Sequence, residues 1–149
     1  VGDFAPSTPP RIFVIDDDEE LLKLVTVLLA RIGAEIIEAK DGYNALEIMN
    51  TTTTPPDLVI LDLMLPDVDG FEVLQRIRAQ PEFDHIPILI LSAKADPNSI
   101  RYGLENGADG YVTKPYIANS LIGRVKLLLS VGRRPRPPKM TRQADESQA

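Results

Sequence analysis

The sequence predicts an α/β fold, a doubly wound five-stranded parallel sheet, from three observations. Its 149 residues are about one domain's worth, with a hydrophobic content of 44% that suits a globular core. Short apolar runs alternate five times with amphipathic stretches. The runs are continuously apolar, as in strands buried on both faces, which calls for helices on both sides of a parallel sheet. Right-handed crossovers then restrict the topology to a doubly wound one.

Each element follows in order. Residues 12–15, β-branched and aromatic, make the first strand; an acidic cluster and the apolar-periodic residues 21–29 make the first helix, which ends near Gly33. Residues 34–39 form the second strand, and Asp41 and Gly42 open a helix carrying Ala45, Leu46, Ile48 and Met49 that breaks over residues 51–56. Residues 58–61 are the third strand, 71–79 the third helix and 88–91 the fourth strand. Pro97 suits the first turn of a helix running to Asn106 and stopping at Gly107. A fifth strand at 110–113 and a last helix at 119–130 complete the pattern.

Three segments result: 1–10, a flexible start with Pro6, Pro9 and Pro10; the folded body, 11–131; and a Pro/Arg-rich linker or tail, 132–149. The absence of cysteine excludes disulfides, thiolate metal sites and a cysteine nucleophile, and a single histidine, His85, excludes a multi-histidine metal centre. No apolar run approaches the ~18 residues of a membrane span, and no signal-peptide layout opens the chain. A soluble, cytoplasmic protein is expected. The net charge of −6 divides into +3 for residues 132–149 and −9 for residues 1–131, which argues against direct nucleic-acid binding by the body.

Polar residues end the strands: Asp16, Asp17 and Asp18 after the first, Asp62 after the third, Ser92 after the fourth, and Thr113, Lys114 and Pro115 after the fifth. If the strand order is 2-1-3-4-5, the first and last helices share a face and ligands bind outside the strand ends between strands 1 and 3. Carboxylates meeting there repel, by about 4 kcal/mol for a pair ~4 Å apart at an effective dielectric of 20. Such a cluster needs a cation. Oxygen ligands without histidine or cysteine select Mg²⁺ or Mn²⁺, which retain waters and room for a phosphate oxygen. With Lys114 added, the charges balance and an incoming phosphoryl group meets little repulsion.

Taken singly, Asp62 reads as a turn residue, Ser92 as a satisfied hydroxyl and Lys114 as half of a surface ion pair. Asp18 and Glu19 serve as helix-capping charge. Convergence at four strand ends overturns the first three readings. Asp67-Val68-Asp69-Gly70 lacks the spacing of a calcium loop and reads as a turn.

The segments Val14-Ile15-Asp16-Asp17-Asp18, Leu61-Asp62-Leu63-Met64-Leu65-Pro66-Asp67-Val68-Asp69-Gly70, Leu91-Ser92-Ala93 and Tyr111-Val112-Thr113-Lys114-Pro115 together resemble the response-regulator receiver domain of two-component signalling, in order and at receiver-like separations. The resemblance implies a flavodoxin-like (βα)5 domain with strand order 2-1-3-4-5, acting as a regulatory phosphoacceptor and not as a turnover enzyme. It implies that Asp62 accepts a phosphoryl group from a phosphohistidine kinase, a phosphotransfer protein or an acyl phosphate. Asp16, Asp17, Asp62 and the Met64 backbone carbonyl would hold Mg²⁺. Ser92 and Lys114 would meet the phosphoryl oxygens, and a cis Lys114–Pro115 peptide is expected.

On the same basis Ser92 and Tyr111 would switch the surface of helix 4, strand 5 and helix 5. An output domain beyond residue 149 or a separate effector would read that surface. Arg101, Glu105, Asp109, Arg124 and Lys126 could pair across a phosphorylation-dependent homodimer, although Gly110 replaces an aspartate usual in receivers that dimerise there. Met64 and Lys94 occupy positions that influence the hydrolytic water, which predicts slow autodephosphorylation.

Two alternatives compete. A degenerate receiver would fold alike and act as a phosphorylation-independent interaction module. A Mg²⁺-dependent phosphatase of the haloacid-dehalogenase type would use Asp16 and Asp18 as its nucleophile pair, but Glu20 replaces the expected Thr or Val and no cap domain is evident. Neither nucleotide-binding glycine motif occurs.

Overall fold

The computed structural model describes residues 8–116 and 118–133. Five parallel strands, β1 (Arg11–Ile15), β2 (Glu35–Ala39), β3 (Leu58–Leu61), β4 (Ile88–Ser92) and β5 (Gly110–Thr113), form one sheet in the order β2-β1-β3-β4-β5. They alternate with α1 (Glu19–Ala30), α2 (Gly42–Thr51), α3 (Gly70–Arg78), α4 (Pro97–Glu105) and α5 (Ala118–Val131). The predicted class, strand order and element sequence are all found. The helix boundaries move by one or two residues where capping, which periodicity does not report, sets the start.

Aspartate starts four helices: Asp18, Asp41, Asp69 and Asp96 each accept a backbone N–H from the first turn of α1, α2, α3 and α4. Asp18 is therefore a cap, as its position before an apolar helix predicts. The strands send alternate side chains to opposite layers. Ile12, Val14, Leu58, Ile60, Leu89 and Leu91 pack under α1 and α5, against Leu22, Val25, Leu121 and Val125. Phe13, Ile15, Val59, Leu61, Ile88 and Ile90 face the other layer, where α2 and α3 contribute Ala45, Met49, Val73, Leu74 and Ile77. The helix α4 is seated differently: its buried positions are Ser99 and Gly103. A Cβ on Gly103 would lie 2.8 Å from Ile90 Cδ1.

Of the outer segments, residues 1–7 and 134–149 lie outside the described residues. Residues 8–10 lead into β1, with Pro10 O accepting from Glu35 N–H at 2.8 Å. Among the described residues, no helix is long and apolar enough to cross a membrane. His85 is exposed, as expected.

The turn after β3 does more than reverse the chain. Asp67 accepts Gly42 N–H at 2.8 Å and Tyr43 N–H at 3.0 Å, so it caps α2 from a distant loop. What little burial it has would raise the Asp67 carboxyl, but the N–H groups of Tyr43, Gly42 and its own loop outweigh this and hold it below the ordinary carboxylate value. A depressed carboxyl stabilises the fold above its unfolded pKa, and that contribution is lost as pH falls through the folded value. Asp67→Asn, which keeps an acceptor and loses the charge, is therefore expected to cost about 0.5 kcal/mol at pH 7. The gap in urea midpoint from wild type should close as pH drops below about 4.

Candidate functional site

The C-terminal edge of the sheet brings the polar strand ends together. Asp16 follows β1, Asp62 follows β3, Ser92 closes β4 and Lys114 follows β5. Backbone bonds continue into the site: Asp16 N–H donates to Ala39 O at 3.0 Å, Asp62 N–H to Ile15 O at 2.9 Å and Lys114 N–H to Ser92 O at 2.9 Å. The sheet itself therefore aims these side chains.

The carboxylates of Asp16, Asp17 and Asp62 each place an oxygen within 4.8 Å of the other two. Asp16 and Asp62 are buried, their side chains 3% and 5% exposed, whereas Asp17 sits at the open rim. Lys114 Nζ bridges the buried pair, donating to Asp16 Oδ2 at 2.9 Å and to Asp62 Oδ2 at 3.0 Å. Backbone donors meet the other two oxygens: Asp18 N–H reaches Asp16 Oδ1 at 2.9 Å and Met64 N–H reaches Asp62 Oδ1 at 3.0 Å.

Burial pushes the Asp16 carboxyl above its ordinary value, with the Asp62 charge adding to it, against the opposing Asp18 N–H and Lys114. Burial would lower the Lys114 ammonium, but hydrogen bonds and charge from Asp16 and Asp62 outweigh it and raise its pKa. The lysine is thus a fixed cation at neutral pH. One ammonium faces three carboxyl groups. The all-oxygen donor set, two ligands buried and one open to water, fits a hard divalent cation. The Met64 side chain points to solvent, 54% exposed, while its N–H bond to Asp62 keeps its backbone beside the cluster.

The two switch candidates meet at one residue. Ser92 is fully buried and its Oγ accepts Lys94 N–H at 3.3 Å, while the Tyr111 hydroxyl donates to Lys94 O at 2.6 Å. Burial, reinforced by Asp96 and Asp62, raises the Tyr111 phenol above its ordinary value. The Lys114–Pro115 peptide is cis, as expected.

Gly70, unremarked among the site residues, proves to be a positioning residue. A Cβ there would lie 2.3 Å from Leu63 Cα and 2.7 Å from Asp62 O, so only glycine lets α3 start against the backbone that carries Asp62. Its appearance eight residues after Asp62 was the available signal. The expectation that Asp109 could pair across a dimer is corrected. Its side chain is 4% exposed and occupied by Arg78 and Arg133, because it closes the base of the sheet and does not face a partner. Arg101, Glu105, Arg124 and Lys126 are exposed as expected.

The family model described as the response regulator receiver domain matches residues 12–126. The chain belongs to that family. This receiver domain is 40% identical over 120 residues to the DNA-binding dual master transcriptional regulator RpaA of Synechocystis, covering 80% of this chain and 49% of that protein. The chain spans about half the length of the curated relatives it matches. A crystal structure of a putative response regulator from Chloroflexus aurantiacus superimposes with a TM-score of 0.77 at 32% identity, covering 83% of this chain and 99% of that one. The Mn²⁺-bound form of response regulator Rcp1 superimposes with a TM-score of 0.71 at 27% identity, covering 83% and 94%. As a receiver, the domain is a regulatory phosphoacceptor of two-component signalling. Its acidic triad is suited to a divalent metal.

A carboxyl raised by burial favours the fold below its unfolded pKa, and that advantage is lost as pH rises through the folded value. An ionised Asp16 is therefore a destabilising group. In EDTA, Asp16→Asn is expected to raise the thermal midpoint, read by calorimetry. That advantage should shrink on acidification as wild-type Asp16 protonates.

Proposed function

We propose that Asp62 is the phosphoacceptor, and the observation that carries this reading is the Lys114 ammonium lying between Asp62 and Asp16 at the strand ends. The Asp62 carboxylate attacks the phosphorus of a phosphohistidine or a small acyl phosphate. The new bond joins Asp62 Oδ to phosphorus, and the bond from phosphorus to the donor nitrogen or oxygen breaks, with the electron pair leaving on the donor. Lys114 exchanges part of its carboxylate bonding for a phosphoryl oxygen. Ser92, whose Oγ accepts from Lys94 N–H, offers its proton to another. Positioning and charge neutralisation are what this transfer asks of a protein.

Asp16, Asp17 and Asp62, with the Met64 backbone carbonyl, would hold Mg²⁺, or Mn²⁺ in its place, and the bound ion supplies positive charge that offsets the carboxylates and the phosphoryl oxygens. Asp18 is committed to the α1 cap, which disfavours the phosphatase alternative. Drawing Ser92 towards the new phosphoryl group breaks its bond to Lys94, and Tyr111 is tied to that same residue. The surface of α4, β5 and α5 is thereby altered, and a downstream effector or output domain reads it. A homodimer through that face would rest on Arg101, Glu105, Arg124 and Lys126. We place the domain in the cytoplasm with its kinase.

The test is intact mass after incubation with Mg²⁺ and acetyl phosphate. Wild type should gain one phosphoryl group and Asp62→Asn none. No gain in wild type, with no response to BeF₃⁻ or to a histidine kinase, would favour the phosphorylation-independent module. The phosphorylated form should decay slowly, because the exposed Met64 side chain cannot orient a water by hydrogen bonding. Decay within seconds would contradict that expectation.

A further inference from the structure

A second ionic cluster lies at the opposite end of the sheet. Arg78, closing α3, donates to Gly107 O at 2.9 Å, Phe83 O at 3.1 Å, Ile86 O at 2.7 Å and Asp109 Oδ2 at 2.9 Å. Asp109 Oδ2 also accepts Ile88 N–H at 2.9 Å. This pair joins α3, the start of β4 and the start of β5. It explains why the carboxylate is buried and why the fold needs it.

Arg133 is an additional cation on a carboxylate already satisfied. Its Nε donates to Asp109 Oδ1 at 3.1 Å, and its Nη1 donates to Asp84 O at 2.7 Å and Asp84 Oδ1 at 3.1 Å. The side chain is only 10% exposed although it belongs to the second residue after α5. Gly132 brings it there. Its N–H donates to Leu128 O at 2.8 Å and its φ of +71° is left-handed, while a Cβ would meet nothing within 4 Å. Conformation, and not lack of space, selects glycine. Ordering a long arginine side chain costs rotamer entropy, which a merely solvated residue would keep.

We propose that the Gly132 turn and the Arg133 clamp form a strap fixing where the chain leaves the receiver: at the base of β5, away from the acidic site. The strap thus holds the last described residue, Arg133, at a defined point on the receiver. Through Asp109 the strap is tied to the strand that carries Tyr111 and leads to Lys114. This inference does not depend on which residue is phosphorylated.

The test uses the full chain. It has no cysteine, so Glu82→Cys with Arg136→Cys accepts two spin labels at defined positions. The distance distribution between them should be narrow, and Arg133→Gln should broaden it about twofold while shifting the thermal midpoint by no more than about 2 °C. Independently, trypsin should cut Arg133–Arg134 about tenfold more slowly than Lys139–Met140, because Arg133 must leave Asp109 to enter the protease. Asp84→Ala, a change at an exposed residue, should narrow that ratio. Equal cleavage rates in wild type, or an unchanged distance width in Arg133→Gln, would overturn the proposal.

Discussion

The shared ammonium of Lys114 is the constraint around which the molecule is arranged. Two carboxylates that are nearly free of water would repel each other strongly without it. Lys114 follows β5, at the edge of the sheet, whereas Asp16 follows β1, with β4 and β3 between them. At ~4.8 Å per strand the span is about 14 Å. A lysine covers much of that distance, and the carboxylates of Asp16 and Asp62 reach to meet it. The strand order, the register that ends β1 and β3 side by side at Ile15 and Leu61, and the bond from Lys114 N–H to Ser92 O all serve this one geometry.

Much of this was legible in the residues. Continuous apolar strands such as 58–61 and 88–91 announce burial on both faces, and the helices between them leave few topologies. The polar strand ends then name Asp16, Asp62, Ser92 and Lys114 directly, because a strand in a parallel sheet delivers its terminal residue to the edge where crossovers open. Strand order itself came from the family resemblance, since periodicity reports the faces of an element but not its neighbours.

What could not be read is long-range bonding between side chains and backbone. Asp67 looks like a turn former and is one, yet it also caps α2 some twenty-five positions earlier in the chain. Asp109 looks like a surface charge among others. Only the tertiary fold places the Ile88 N–H, Arg78 and Arg133 around it. In both cases the partner is a donor that any residue could present, so composition carries no trace of it. Gly70 is intermediate: the glycine is visible, but the contact with Leu63 that demands it is not.

Ser99 and Gly103, beneath α4, have a mechanical consequence. A helix seated by large side chains leaves voids when it shifts, and each void carries a penalty that grows with its volume. With a hydroxymethyl group and a bare Cα as its footing, α4 has no knob to withdraw from a hole in the sheet. Sliding it along Ile90 exchanges one smooth contact for another and opens little empty space. The helix α1, anchored by Leu22, Val25, Leu28 and Leu29, has the opposite footing, and a shift there would open voids at each of them.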